Sequence, residues 1–300
     1  AAIDYLIGCR GARNLVLWRG GDWNDSLNSA GRQGKGESVW LSIATVKAIG
    51  ELQEILMLVG GYEEEIAKYE AAKNDLKQAI EKHGKVGDQY IYGINDNGEL
   101  IGGEDRIFLN PQSWAVLGNI AERDVLEKAM DSVEEKLKCK YGYVQCSPSF
   151  TKGSDCIGRV SYFQPGLVEN GAVYNHGVAF KIAADCMLGR GDNAYKTFKL
   201  ISYDNPDNPN NGVEPYAVSN MYMGPENPYL AGFAPMSQKS PYYEGDRYTY
   251  SFRPQANMNS RIELAGGRNS FTEMLDDFFG FSGESIKDDV RQMDWREIEE

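Results

Sequence analysis

Three segments carry residues whose types and spacing could do chemistry. In Arg19-Gly20-Gly21-Asp22-Trp23-Asn24-Asp25, two carboxylates bracket a tryptophan on a glycine-initiated loop. Cleaving an acetal requires a proton delivered to the departing oxygen, and a carboxylic acid of raised pKa can deliver it. An indole beside it offers a flat platform to a sugar ring. A surface turn with a capping Asp and a core Trp fits the same letters, and by pattern alone that plainer reading is the stronger. In the second segment, Gln164 to Phe180, Glu169 and His176 flank a glycine-rich entry into a helix. A His near a helix N-terminus, between Asn175 and Gly177, can bind an anion together with free backbone N–H groups. A capping Asn with a hydrogen-bonded His is the plainer alternative here too. The third segment, Gly34-Lys35-Gly36-Glu37-Ser38, lacks the spacing of a nucleotide-binding loop and follows no buried strand. Its glycines are expected to shape a loop, with Glu37 or Ser38 near the next helix start. His83 closes a Lys/Glu-rich helix and reads as a solvated C-terminal residue. No metal-ligand spacing and no GxSxG elbow occur, so neither a metal nor a cofactor is expected.

The elements that must position these segments are mostly helical. Val39, Ile43, Val46, Ile49, Leu52 and Leu56 recur at three- and four-residue spacing and draw one buried helical face, closed by Gly60-Gly61. A second helix follows with Ile66, Tyr69, Leu76 and Ile80 inward, ending near Gly84. Further helices are expected over 113–121, 123–138, 172–188 and 192–201. Gln89 to Ile94, the Asn97-Gly98 turn and Glu99 to Ile101 predict a small hairpin. Helices arriving in consecutive pairs point to a mainly α, toroidal arrangement with the site in loops at one end. No clean short-period repeat is evident. The proline-rich stretch 203–242 is expected to be loop, Tyr248 to Phe252 a strand, and Ser270-Phe271-Thr272-Glu273 a capping box opening a helix.

Composition narrows the function classes. The 300 residues hold 31 basic and 44 acidic side chains, a net charge of -13, which argues against nucleic acid or an anionic membrane as partner. No apolar run approaches the ~20 residues that span a bilayer. The first ten residues are too short and polar for a secretory signal, and without an initiator Met a fragment or processed product is expected. Five cysteines, an odd count, read as free thiols in a reducing cytoplasm. The 33 Gly and 18 Tyr in an acidic chain lean towards a neutral sugar as ligand.

Taken together, GGDWNDSLN (20–28), GKGESVW (34–40), IFLNPQSWAVL (107–117), GRVSYFQPGLVENGAVYNHGVAF (158–180), EPYAVSNMYMGP (214–225) and YLAGFAPMS (229–237) resemble the glycoside phosphorylases of glycoside hydrolase family 94. This is the cellobiose, cellodextrin and chitobiose phosphorylase group, and the resemblance spans residues 15–237. It implies an (α/α)6 helical barrel whose loops hold a sugar pocket. It also implies a reaction in which inorganic phosphate cleaves a β-linked glucose- or N-acetylglucosamine-type di- or oligosaccharide with inversion, giving an α-sugar 1-phosphate. By resemblance, Asp25 would be the general acid, Asp22, Trp23 and Glu169 would contact the sugar, and His176 would help hold phosphate. An inverting hydrolase needs a second carboxylate to activate water, whereas phosphate is already a nucleophile and needs only to be held in line.

The sequence departs from that pattern in three ways. Family members are far longer, with a β-sandwich and the first half of the barrel ahead of this point, so residues 1–237 are expected to be the C-terminal part of such a barrel. Ser29 stands where several members carry a phosphate-contacting Arg, and the Thr-Gly segment that usually follows the equivalent of Ser237 is missing. Residues 241–281 instead resemble the C-terminal helical region of the family 92 α-mannosidases, making 238–300 an unrelated tail joined by fusion or misassembly near Ser237-Gln238. Two other readings therefore stand beside the phosphorylase: a catalytically incomplete saccharide-binding or structural fragment, and an α-mannosidase fragment. A half-barrel would leave helix faces such as Val39–Leu56 uncovered, from which dimerisation is expected.

Overall fold

The computed structural model describes residues 2–202, 205–207, 221–227, 259, 262–263 and 265–279. The expected strand at 248–252 and most of the loop 203–242 lie outside them. The chain divides into two units, Ala1–Ala234 and Pro235–Glu300. After a short helix α1 (Ala2–Gly8), the first unit is built from three helical hairpins: α2 (Val39–Val59) with α3 (Glu63–His83), α4 (Leu109–Leu117) with α5 (Arg123–Lys136), and α6 (Asn175–Met187) with α7 (Gly191–Ile201). The first helix of each hairpin packs on that of its neighbour, α2 on α4 and α4 on α6. The fold is mainly α.

The apolar spacing explains these contacts. Val39, Ile43, Val46 and Ile49 of α2 share one core with Tyr69, Leu76 and Ile80 of α3, Leu109 and Val116 of α4, Met130 and Val133 of α5, and Val178 of α6. The α2 face expected to lack a cover is thus buried. On α2 the exposed apolar side chains are those at its end, Ile55, Met57, Leu58 and Val59. Gly60, at φ 77°, ends α2 and donates its N–H to the Leu56 carbonyl.

Each first helix issues directly from a two-residue strand: Glu37–Ser38 before α2, Ile107–Phe108 before α4, Val173–Tyr174 before α6. These strands pair over long range. Val16–Leu17, Glu37–Ser38, Gly93–Ile94 and Leu100–Ile101 form one antiparallel sheet in that order, which contains the expected hairpin across Asn97-Gly98. Val39 N–H bonds to the Tyr92 carbonyl and Leu109 N–H to the Gln145 carbonyl, so carbonyls just ahead of later strands satisfy N–H groups that helix starts leave open.

Three expectations need correction. Helix α4 begins at Leu109, not 113, because Pro111 is tolerated in a first turn where no N–H is required. Helix α6 begins at Asn175, not 172, because Val173 and Tyr174 pair with Tyr222 and Met221, which also places a strand inside the stretch expected to be loop. In the second unit, α8 (Arg268–Phe279) starts two residues before Ser270, so Ser270 sits inside the first turn and caps nothing there.

One buried ionic cluster ties three helices together. The fully buried Lys181 ammonium of α6 lies 2.7 Å from Glu134 of α5, 2.7 Å from Asp185 and 2.8 Å from the Thr197 hydroxyl of α7, over the Tyr143 ring. Removing the cation strands a buried carboxylate at Asp185. We expect Lys181→Met to lower unfolding stability by about 3–5 kcal/mol, read as a shifted urea midpoint.

Candidate active site

The acid segment runs over the start of α2, and Ser38 joins the two. Its hydroxyl accepts the Leu41 N–H at 2.9 Å, capping the helix, and donates to Asp22 Oδ2 at 2.6 Å. Asp22 Oδ1 accepts the Tyr92 hydroxyl at 3.1 Å and the Asn24 N–H at 2.9 Å. Burial pushes the Asp22 carboxyl up to about 7 despite these three donors. Tyr92 stacks on Trp18, whose ring lies so close to Gly93 that a Cβ there would fall 2.3 Å from it.

A second loop, 154–171, zips onto the acid segment. Val160 N–H bonds to the Ser26 carbonyl, Ser29 N–H to the Ile157 carbonyl, and Arg159 N–H to Asn28 Oδ1 at 3.0 Å. Gly158 is required at this seam: its φ is 119° and a Cβ would lie 2.4 Å from Asn28 Oδ1. The same loop carries Glu169, which is buried, with Oε2 3.0 Å from Ser26 Oγ. Ser26 Oγ is also 2.6 Å from Asn24 Oδ1. The Ser26 hydroxyl thus lies within hydrogen-bond reach of both the Glu169 carboxyl and the Asn24 amide. Burial raises the Glu169 pKa.

Asp25 points outward, its side chain 77% exposed, with Arg159 Nη2 3.5 Å from Oδ2. Trp23 turns the other way. Its indole N–H donates to His176 Nδ1 at 3.1 Å, and its ring meets Tyr174 and Phe180 edge-on. A nitrogen that accepts carries no proton, so His176 is neutral with its proton on Nε2, and burial lowers its pKa accordingly. His176 occupies the second residue of α6.

The structure thus brings the expected residues into three contacts: Asp22 with Ser38, Glu169 with Ser26, and Trp23 with His176. Ser38, expected near the next helix start, caps α2; Tyr92, Ser26 and Arg159 also hold them and were not singled out by sequence. Ser26 and Arg159 lay inside the distinctive segments, but nothing in a linear reading pairs Arg159 with Asp25. The glycine loop 31–36 is occupied from within, for Asp96 accepts the N–H groups of Gln33, Lys35 and Gly36 at 2.7, 2.9 and 2.8 Å. Among the described residues no three His, Cys, Asp or Glu side chains converge as metal ligands, and no helix is long and apolar enough to cross a membrane.

The catalytic-domain profile of the Glycosyl hydrolase 94 superfamily matches residues 1–235. The chain belongs to that superfamily. This family 94 domain is 42% identical over 240 residues to solabiose phosphorylase of Paenibacillus borealis, a match covering 76% of this chain and 30% of that protein. It is 32% identical over 241 residues to cellobionic acid phosphorylase of Neurospora crassa, covering 77% and 30%. With N,N'-diacetylchitobiose phosphorylase of Vibrio proteolyticus it shares 32% over 235 residues, covering 75% and 28%. The domain therefore spans about 30% of the length of these curated relatives. The match ends at residue 235, and the resemblance of 241–281 to family 92 finds no support in these comparisons.

The raised pKa of Asp22 has a thermodynamic signature. A carboxyl that binds its proton more tightly when folded stabilises fully below its ordinary value of 3.8 and loses that contribution as pH rises to about 7. We expect the stability of wild type relative to Asp22→Asn to fall between those values and to level off above them. Urea midpoints measured across the range check this; a difference that grows with pH would contradict it.

Proposed function

We propose that this family 94 domain is the catalytic part of a glycoside phosphorylase, which transfers a sugar from a β-linked di- or oligosaccharide to inorganic phosphate with inversion. The reading rests above all on the Trp23–His176 hydrogen bond, which joins the acid segment to the start of α6. An acid for the leaving oxygen and an anion-binding helix start are thereby held in one site. Asp25 donates its proton to the glycosidic oxygen. Phosphate, anchored by His176 Nε2–H and the first N–H groups of α6, attacks the anomeric carbon from the opposite face, and the glycosidic C–O bond breaks. Asp22, Glu169 and the Trp23 ring bear on the sugar. No cofactor enters this scheme. Relatives named for solabiose, cellobionic acid and diacetylchitobiose support a β-linked disaccharide of the glucose or N-acetylglucosamine type. The three hairpins fit half of an (α/α)6 barrel, and the exposed end of α2 fits pairing with a second copy in the cytoplasm.

Assays with β-linked disaccharides, with and without phosphate, test the reading. Sugar 1-phosphate should form only with phosphate, and Asp25→Asn should slow it by about 10²- to 10⁴-fold. Undiminished activity in that variant would remove Asp25 from the acid role. Because the chain spans about 30% of its relatives, disaccharide binding with no turnover in phosphate would favour a catalytically incomplete, saccharide-binding domain instead.

A further inference from the structure

We infer that Arg159, which pairs with Asp25, is a phosphate-binding residue; this rests on the phosphorylase reading above. A phosphate dianion must enter a site that already holds the carboxyls of Asp22, Asp25 and Glu169. His176 accepts from Trp23, so it supplies a neutral N–H and no charge. Among the described residues, Arg159 is the basic side chain in ion-pair contact with one of those carboxyls.

The backbone geometry favours such a role. The Arg159 main chain is fixed by its N–H bond to Asn28 Oδ1, by the close fit of Gly158 and by the adjoining Val160 bond to Ser26. Beyond that anchor the side chain is free, 59% exposed, with Asp25 as its ion-pair partner. A guanidinium beside a carboxylate favours the ionised form, whereas a proton donor must be neutral, so the contact has to break before Asp25 acts. An arriving phosphate offers twice the charge and a bidentate edge that suits guanidinium. Phosphate therefore draws Arg159 off Asp25, and the nucleophile's arrival releases the acid.

The test compares wild type, Arg159→Gln and Arg159→Lys in phosphate titrations, by phosphorolysis rate and by calorimetry with inorganic phosphate alone. Arg159→Gln should weaken phosphate, as KM and as Kd, by about 10- to 100-fold. The disaccharide KM should stay within about twofold, and Arg159→Lys should recover part of the loss by restoring the charge. Thermal melts verify that the variants fold. A merely structural partner of Asp25 would lower kcat and leave phosphate affinity untouched, and that outcome overturns the inference while the phosphorylase reading stands. Wild type that neither binds phosphate nor forms sugar 1-phosphate overturns both.

Discussion

A single hydroxyl, that of Ser38, fixes the acid segment to the scaffold. It has one proton to give and gives it to Asp22, while its lone pair takes the Leu41 N–H at the first turn of α2. Loop and helix start therefore cannot shift independently, and displacing the loop would also forfeit a cap worth about 1 kcal/mol. Behind this joint, Trp18 and Tyr92 form a stacked pair closed by Gly93, and Tyr92 reaches forward to the same carboxylate. The segment rests on packed aromatic rings and a helix end, which fix its geometry.

The helices were readable because burying one face imposes a period, and α2, α3 and α5 fall where that period puts them. The misplaced starts of α4 and α6 have different causes: Pro111 lies in a first turn that tolerates it, whereas the two-residue strand ahead of α6 carries too little pattern to be seen and its partner lies far along the chain. Val173 against Tyr222 is such a pair. A structural repeat was hidden for the same reason. The second helices α3 and α5 are each followed by a tight hairpin, Lys85–Tyr90 and Lys138–Tyr143, which pairs Lys with Tyr in both but differs in the four residues between. In the site, the carboxylates, Trp23 and His176 were visible as residue types, but Tyr92 was read only as part of a strand. Its part follows from a hydroxyl that reaches Asp22 across the fold.

Similar side chains here have different chemistry because of their surroundings. Asp22 is pressed among Ser38, Tyr92 and Asn24 and holds its proton up to about 7. Glu169, buried against Ser26, is also raised, whereas Asp25 stands in solvent against a guanidinium. Neighbouring carboxyls in unlike environments hold their protons over different pH ranges.

The Asp96 carboxylate in the glycine loop has a consequence of its own. Three convergent N–H groups make a receptor for any small anion. Asp96 is a ligand tethered to the same chain, so its effective concentration is in the millimolar range or above and does not vary with the medium. Free anions must outcompete it at every encounter. The loop is in this sense permanently self-inhibited.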